Sequence, residues 1–268
     1  MMVETCRIGP APHIAVDVCG EGELLVLMHG IGGNKRNWAS NITEFGRHFK
    51  TVAWDARGYG ESDDYPGKLE FSDFADDLDR VLDYFEAEKA HLLGLSMGGR
   101  IALSFYETKS HRIASLTLCD THDGYRHFSK EQQDEFIRLR KDPLLAGKEP
   151  EDIAPVVART LIGNPDNRST FDELVDSMSR LRKESYIKSI EAWVQSDKTD
   201  NLSRINVPAL VVVGALDRLT PPELAHKIAD QIPEARLEII DGAGHLSNIE
   251  QPGAFNQVVL DFLLSLKD

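Results

Sequence analysis

Ser96, Asp217 and His245 carry the side chains of nucleophilic catalysis and lie far apart in the chain. A serine hydroxyl is a weak nucleophile at neutral pH. It needs a base to take its proton, and the base needs an acid that fixes its tautomer and stabilises its cation. Each of the three follows an apolar run. Ser96 lies in Gly94-Leu95-Ser96-Met97-Gly98-Gly99, a Gly-x-Ser-x-Gly pattern between a strand-like run and a helix-like one. Asp217 follows Ala209–Gly214, and His245 ends the Gly-rich stretch Asp241-Gly242-Ala243-Gly244-His245 after Arg236–Ile240. In a parallel sheet the loops after the strands gather at one edge, so residues distant in sequence can meet there.

Each assignment has a rival. A five-residue serine motif recurs by chance and gains weight only from its surroundings. Asp120, just after the apolar Ile113–Cys119, competes with Asp217 for the acid role. The Ser…Asp…His chain order favours Asp217. His29-Gly30-Ile31-Gly32-Gly33 follows the apolar Leu24–Met28. With the serine turn it could supply an oxyanion hole from the backbone N–H groups of Ile31 and Met97. One such donor is worth roughly 2.7–4 kcal/mol in a transition state. The stretch could also be a phosphate loop, but no Gly-Lys-Ser/Thr closes that pattern. His29 reads as a structural ring bonded to its own loop. Asp55 and Arg57, in Asp55-Ala56-Arg57-Gly58-Tyr59-Gly60, read as the polar braces of a turn.

The elements that must position these residues alternate between strand and helix. Arg7–Val18 supplies one or two edge strands, Trp38–Phe49 a helix and Thr51–Trp54 a strand. Phe71, Phe74, Ala75, Leu78, Val81, Leu82 and Phe85 form a helical stripe. Asp73, Asp76, Asp77 and Asp79 lie off it and read as a solvated face, not a metal site. The alternation then stops. Residues 123–196 read as helices only, with a Ser129-x-x-Gln132 capping box at the start of Glu131–Arg140. The expected organisation is a core of residues 1–122 and 197–268 interrupted by a helical cap of residues 123–196. Tyr186 and Trp193 are the candidate substrate-binding residues of the cap, although aromatics on helical stripes are more often core.

Composition narrows the partners. A chain of 268 residues with 41% hydrophobic and 28% charged residues can bury a sizeable core. Its net charge of −14 argues against nucleic acids and anionic membranes, which bind through clustered Lys and Arg. No apolar run approaches the ~20 residues of a membrane span. Cys6, Cys19 and Cys119 are scattered, and Met1-Met2-Val3-Glu4-Thr5 lacks the pattern of a secretory signal. Both point to the cytoplasm. Cys119 reads as a small buried strand residue. No ligand cluster calls for a metal or cofactor, so the expected partner is a small-molecule substrate. Oligomeric state is not legible.

Taken together, the chain resembles the α/β-hydrolase fold enzymes over nearly its whole length. The resemblance rests on His29-Gly30-Ile31-Gly32-Gly33, Asp55 to Ser62, Gly94 to Gly99, Gly214-Ala215-Leu216-Asp217 and Gly244-His245. It implies a mostly parallel eight-stranded sheet flanked by helices, with the cap after the sixth strand. Leu116–Thr121 and Gly244–Pro252 are similar to the 3-oxoadipate enol-lactonase and small carboxylesterase branch. The same motifs are shared with C–C bond hydrolases and with haloperoxidase-like esterases. A receptor that keeps the triad is a further possibility on this fold. Serine at 96 argues against dehalogenases and epoxide hydrolases, whose nucleophile is aspartate. A dicarboxylate lactone as substrate would require a basic residue facing the pocket. Arg138, Arg140, Arg159, Arg180 and Arg182 are available, and the sequence singles out none.

Overall fold

The apolar runs become the interior of one sheet in the computed structural model, which describes residues 1–125, 128–195 and 202–267. Strands β1 (Glu4–Ile8) and β2 (Ile14–Cys19) form one edge. Strands β3 (Leu24–Met28), β4 (Lys50–Trp54), β5 (Ala90–Leu95), β6 (Ile113–Cys119) and β7 (Ala209–Gly214) follow, and β8 (Arg236–Ile240) is the other edge. The eight strands run in the order β1-β2-β4-β3-β5-β6-β7-β8. β1 and β2 are antiparallel to their neighbours, and all other pairs are parallel. β3, β5 and β7 are buried along their whole lengths. That is why their sequences are continuously apolar rather than alternating. β8, covered less completely, keeps Arg236, Glu238 and Ile239 exposed.

Helices α1 (Ala39–Phe45), α2 (Ser72–Tyr84) and α3 (Met97–Lys109) connect the first strands. The helix expected over Trp38–Phe49 is shorter. It begins after a 3₁₀ turn at Lys35–Trp38 and stops at Gly46, a poor helix former. The acidic face of α2 is partly used. Asp77 is fully buried and takes a two-pronged bond from Arg57 at 2.6 and 2.8 Å.

Between β6 and β7 lie α4 (Lys130–Arg140), α5 (Asp142–Leu145), α6 (Pro150–Leu161), α7 (Arg168–Ser179) and α8 (Lys183–Gln195). The capping box at Ser129 and Gln132 forms as its spacing predicts. The far boundary of this insertion, expected at 196/197, lies outside the described residues. Helices α9 (Pro222–Gln231), α10 (Ser247–Glu250) and α11 (Pro252–Leu264) complete the core. The four-residue α5 and α10 are too short to show a helical period, so the sequence gives no sign of them. Among the described residues no helix is long and apolar enough to cross a membrane.

Candidate active site

Ser96 sits between the last residue of β5 and the first of α3, with φ 53° and ψ −112°. A non-glycine residue in this region is strained and persists only where its surroundings hold it. The holding contacts are on both sides. The Ser96 N–H donates to the Cys119 carbonyl at 2.8 Å, and the Thr121 hydroxyl donates to the Ser96 carbonyl at 2.7 Å. The glycines of the motif permit the turn. A Cβ on Gly94 would lie 2.3 Å from the backbone of Gly98, and one on Gly98 would lie 2.2 Å from the Met28 carbonyl oxygen. The helix thus starts directly against the ends of β3 and β5.

The structure brings the three distant side chains into one hydrogen-bonded line. Ser96 Oγ lies 3.0 Å from His245 Nε2, and His245 Nδ1 lies 2.9 Å from Asp217 Oδ2. An ionised carboxylate only accepts, so the ring proton belongs on Nδ1 and Nε2 is left free to accept from the serine. Asp217 is itself fixed. Its Oδ1 accepts the N–H groups of Leu219 and Thr220 at 2.8 and 2.9 Å, and its Oδ2 accepts the Thr220 hydroxyl at 2.6 Å. Burial opposes ionisation of Asp217. Attraction to His245 and the bonds from His245 and Thr220 outweigh it and hold the carboxyl below its usual range. Burial likewise opposes a charged His245, but Asp217 outweighs it and raises the imidazole.

Asp120, the rival acid, is turned to another task. Its Oδ1 accepts the Gly214 N–H at 2.8 Å, and its Oδ2 accepts the Ser247 N–H and hydroxyl at 3.0 and 2.7 Å. Burial, and then repulsion from Asp217, push it up to about 7. His29 is a brace. Its Nδ1 donates to the Gly30 carbonyl at 2.8 Å and its Nε2 accepts the Ala56 N–H at 3.1 Å. Burial lowers it to about 4, so it stays neutral. Asp55 accepts the N–H groups of Lys35 and Glu61 at 2.7 and 2.8 Å, which ties the turn after β4 to the Gly-rich loop.

Two braces escape the sequence. Thr220 could have been read from its spacing, since aspartate three residues before a hydroxyl and a proline commonly caps a turn. Glu250 carries no such signal. Its Oε1 accepts the Gly244 N–H and its Oε2 the Gly163 N–H, both at 2.8 Å. The His245 N–H donates to the Leu161 carbonyl at 2.8 Å. The end of α6 is therefore bonded to the histidine loop.

A narrow cavity opens at Ser96, walled by Ile31, Trp38, Leu174, Met178, Leu219 and His245 among others, with a free volume of about 30 Å³. Ile31 is on that wall, and Met97 is buried as the first residue of α3. A wider cavity of about 420 Å³ adjoins it, walled by Tyr125, Phe128, Phe136 and Trp193. Arg140 and Leu219 line both. Neither expected cap aromatic lines the cavity at Ser96. Trp193 faces the outer one, stacked on Phe136 with ring centroids 4.6 Å apart. Tyr186 is buried behind the inner wall, where a Cβ on Gly32 would lie 3.7 Å from its hydroxyl.

The sequence profile of the alpha/beta hydrolase fold matches residues 23–252. This chain belongs to that family. It is 25% identical over 271 residues to 3-oxoadipate enol-lactonase 1 of Acinetobacter baylyi, covering 98% of this chain and 97% of that one. It is 30% identical over 255 residues to the 2-hydroxy-6-oxononadienedioate/2-hydroxy-6-oxononatrienedioate hydrolase of Paraburkholderia phymatum, covering 90% and 87%. Among solved structures it is similar to a thermophilic esterase from Thermogutta terrifontis with malate bound. There the TM-score is 0.87 at 27% identity, and 99% of each chain is covered.

Proposed function

We propose that this hydrolase-family protein is a serine hydrolase that cleaves a small-molecule ester or lactone through an acyl-enzyme. The observation that carries the reading is the unbroken line from Ser96 Oγ through His245 to Asp217. Ser96 Oγ attacks the carbonyl carbon while His245 Nε2 takes its proton. Asp217 keeps the ring in the tautomer that can do so and stabilises the imidazolium. The oxygen that becomes negative is held by the backbone N–H groups of Met97 and Ile31. Met97 heads a helix whose first N–H groups lack intrahelical partners and whose dipole favours negative charge. Collapse of the tetrahedral intermediate expels the alcohol, which takes the proton from Nε2. Water deprotonated by His245 then releases the acid. In a lactone the expelled alkoxide remains on the same molecule.

The helices inserted after β6 act in this reading as the cap that closes over the substrate. The similarity to an enol-lactonase and an esterase supports ester or lactone carbonyls as the target class. The three unpaired cysteines suit a cytoplasmic enzyme.

The test is turnover by wild type and Ser96→Ala on p-nitrophenyl esters, lactones and a dienoic diketone. The expected result is ester or lactone hydrolysis that falls by at least about 10⁴-fold in the variant. Activity retained near wild type would overturn the mechanism. Turnover confined to the diketone would overturn the substrate class.

A further inference from the structure

Arg140 is a buried cation without an anionic partner. It ends α4 with only 3% of its surface exposed. A guanidinium has five N–H donors and stays protonated in proteins. Among the described residues its hydrogen-bond partners are neutral hydroxyls, Thr160 at 3.3 Å from Nη2 and the Tyr186 phenol. Its carbon centre lies 4.3 Å from the centre of the Phe136 ring. The neighbouring groups that bear on its charge are the Tyr186 and Tyr125 phenols and Glu135. Glu135 is taken by Arg138 in a fork of 2.6–2.8 Å bonds. Burial itself works against the charge on Arg140.

The other four candidate arginines are occupied or turned away. Arg180 is paired with Asp176, Arg182 with Asp64, and Arg159 is exposed beside Phe171. Arg140 alone among these five reaches the cavity that holds Ser96. Among the described residues that inner wall carries no acidic side chain. The outer cavity carries charges of both signs, Glu131 and Glu135 with Arg218, whereas Arg140 is the cation that reaches the inner one. A buried charge with no anionic partner is costly, and it persists where a ligand completes it. A planar guanidinium matches a carboxylate through two parallel hydrogen bonds. The narrow, mostly apolar inner cavity suits that small planar anion better than a bulky one.

We infer that Arg140 is a specificity-determining residue that binds a carboxylate on the substrate, so that the preferred ester or lactone is an acid with a second, free carboxyl group. This rests on the hydrolase reading for the reaction but not for the binding. The negative charge must enter a chain of net charge −14. One buried arginine at the junction of the two cavities gives it a place.

The experiment compares a lactone bearing a free carboxylate with its methyl ester, and mono-p-nitrophenyl glutarate with p-nitrophenyl butyrate. Wild type, Arg140→Met and Arg140→Lys are used. The methionine keeps an apolar stem against Phe136 and removes the cation. The expected ratio of kcat/KM, charged over neutral, falls by roughly 10–100-fold in Arg140→Met and is partly restored in Arg140→Lys. An unchanged ratio in a folded Arg140→Met overturns the inference and leaves the hydrolase reading intact. A second readout needs no turnover. Glutarate should raise the melting temperature of Ser96→Ala, and glutaramide should not. That difference supports the site even if no ester is hydrolysed, and its absence overturns the site even if Arg140→Met fails to fold.

Discussion

The loops at the ends of β5, β7 and β8 and the helices inserted after β6 hold their side chains in different ways. At the strand ends, backbone meets backbone. A Cβ on Gly98 would collide with Met28, and one on Gly214 would lie 2.1 Å from the Gly244 carbonyl oxygen. No side chain can be added there without moving the strands. Across the insertion, side chain meets side chain. Examples are the aromatic group of Tyr125, Phe128, Phe136 and Trp193, and surface pairs such as Arg138 with Glu135. The first arrangement fixes the geometry of the reacting groups. The second rests on side-chain packing, except at Leu161 and Gly163, where the insertion meets the backbone of the His245 loop. On such a fold function is decided by the residues placed at the site and not by the fold itself.

The sharpest way to break the comparison is within the strand-end loops themselves, using their two acids. Asp217→Asn should lower kcat/KM by on the order of 10³–10⁴, because an amide cannot hold the ring in the same tautomer. Asp120→Asn should leave most activity in place and cost about 1–3 kcal/mol in stability, since its bonds go to Gly214 and Ser247. Steady-state kinetics and thermal melting of both variants decide it. Comparable rate losses would mean that the two acids share one role.

The pH profile sharpens the same point. His245 must be neutral to act as base, and Asp217 raises it above the ordinary value of 6.5. Activity should therefore be present above that raised value and lost as the pH falls through it. In Asp217→Asn the acid limb should move to lower pH. A limb that stays in place would remove Asp217 from the line.

On the insertion side, Trp193→Ala should cost about 3–5 kcal/mol as a large buried ring is lost from its cluster. Labelling of Ser96 by a small phosphonate should survive at a temperature where the variant remains folded. Loss of labelling in folded protein would tie the outer cavity to the serine more tightly than the packing does. The smallest effect is at the surface. Arg138→Ala removes an exposed pair and should change neither the melting temperature nor turnover measurably.

This difference also governs what could be read from the sequence. Ser96 and His245 were legible because their loops need glycine at fixed offsets, and glycine is visible in a string of letters. The sheet was legible because strands buried on both faces are apolar without interruption. The choice between Asp217 and Asp120 rested on chain order alone, since both stand just past a strand end. The distances to His245 and to Gly214 separate them. In the insertion, the five candidate arginines look alike in sequence, and only the packing of α4 shows that Arg140 turns inward. Tyr186 and Trp193 have the same helical setting, yet one backs the Gly-rich loop after β3 and the other faces the outer cavity. Thr220 stands at a readable spacing from Asp217, whereas Glu250 acts by bonds to backbone, which leave no pattern of residue types strong enough to notice.

The seam between α6 and the histidine loop limits how the molecule can open. Glu250 grips Gly163 on one side and Gly244 on the other, and a Cβ on Gly163 would lie 2.5 Å from the Gly244 nitrogen. The C-terminal end of α6 cannot lift without pulling on the loop that carries His245. α8 is held to the core in a similar way, by Arg182 on the Gly60 and Ser62 carbonyls and by the Ser185 hydroxyl on Asp64. A shift of α6 or α8 is therefore transmitted to the loops that carry His245 and Asp55.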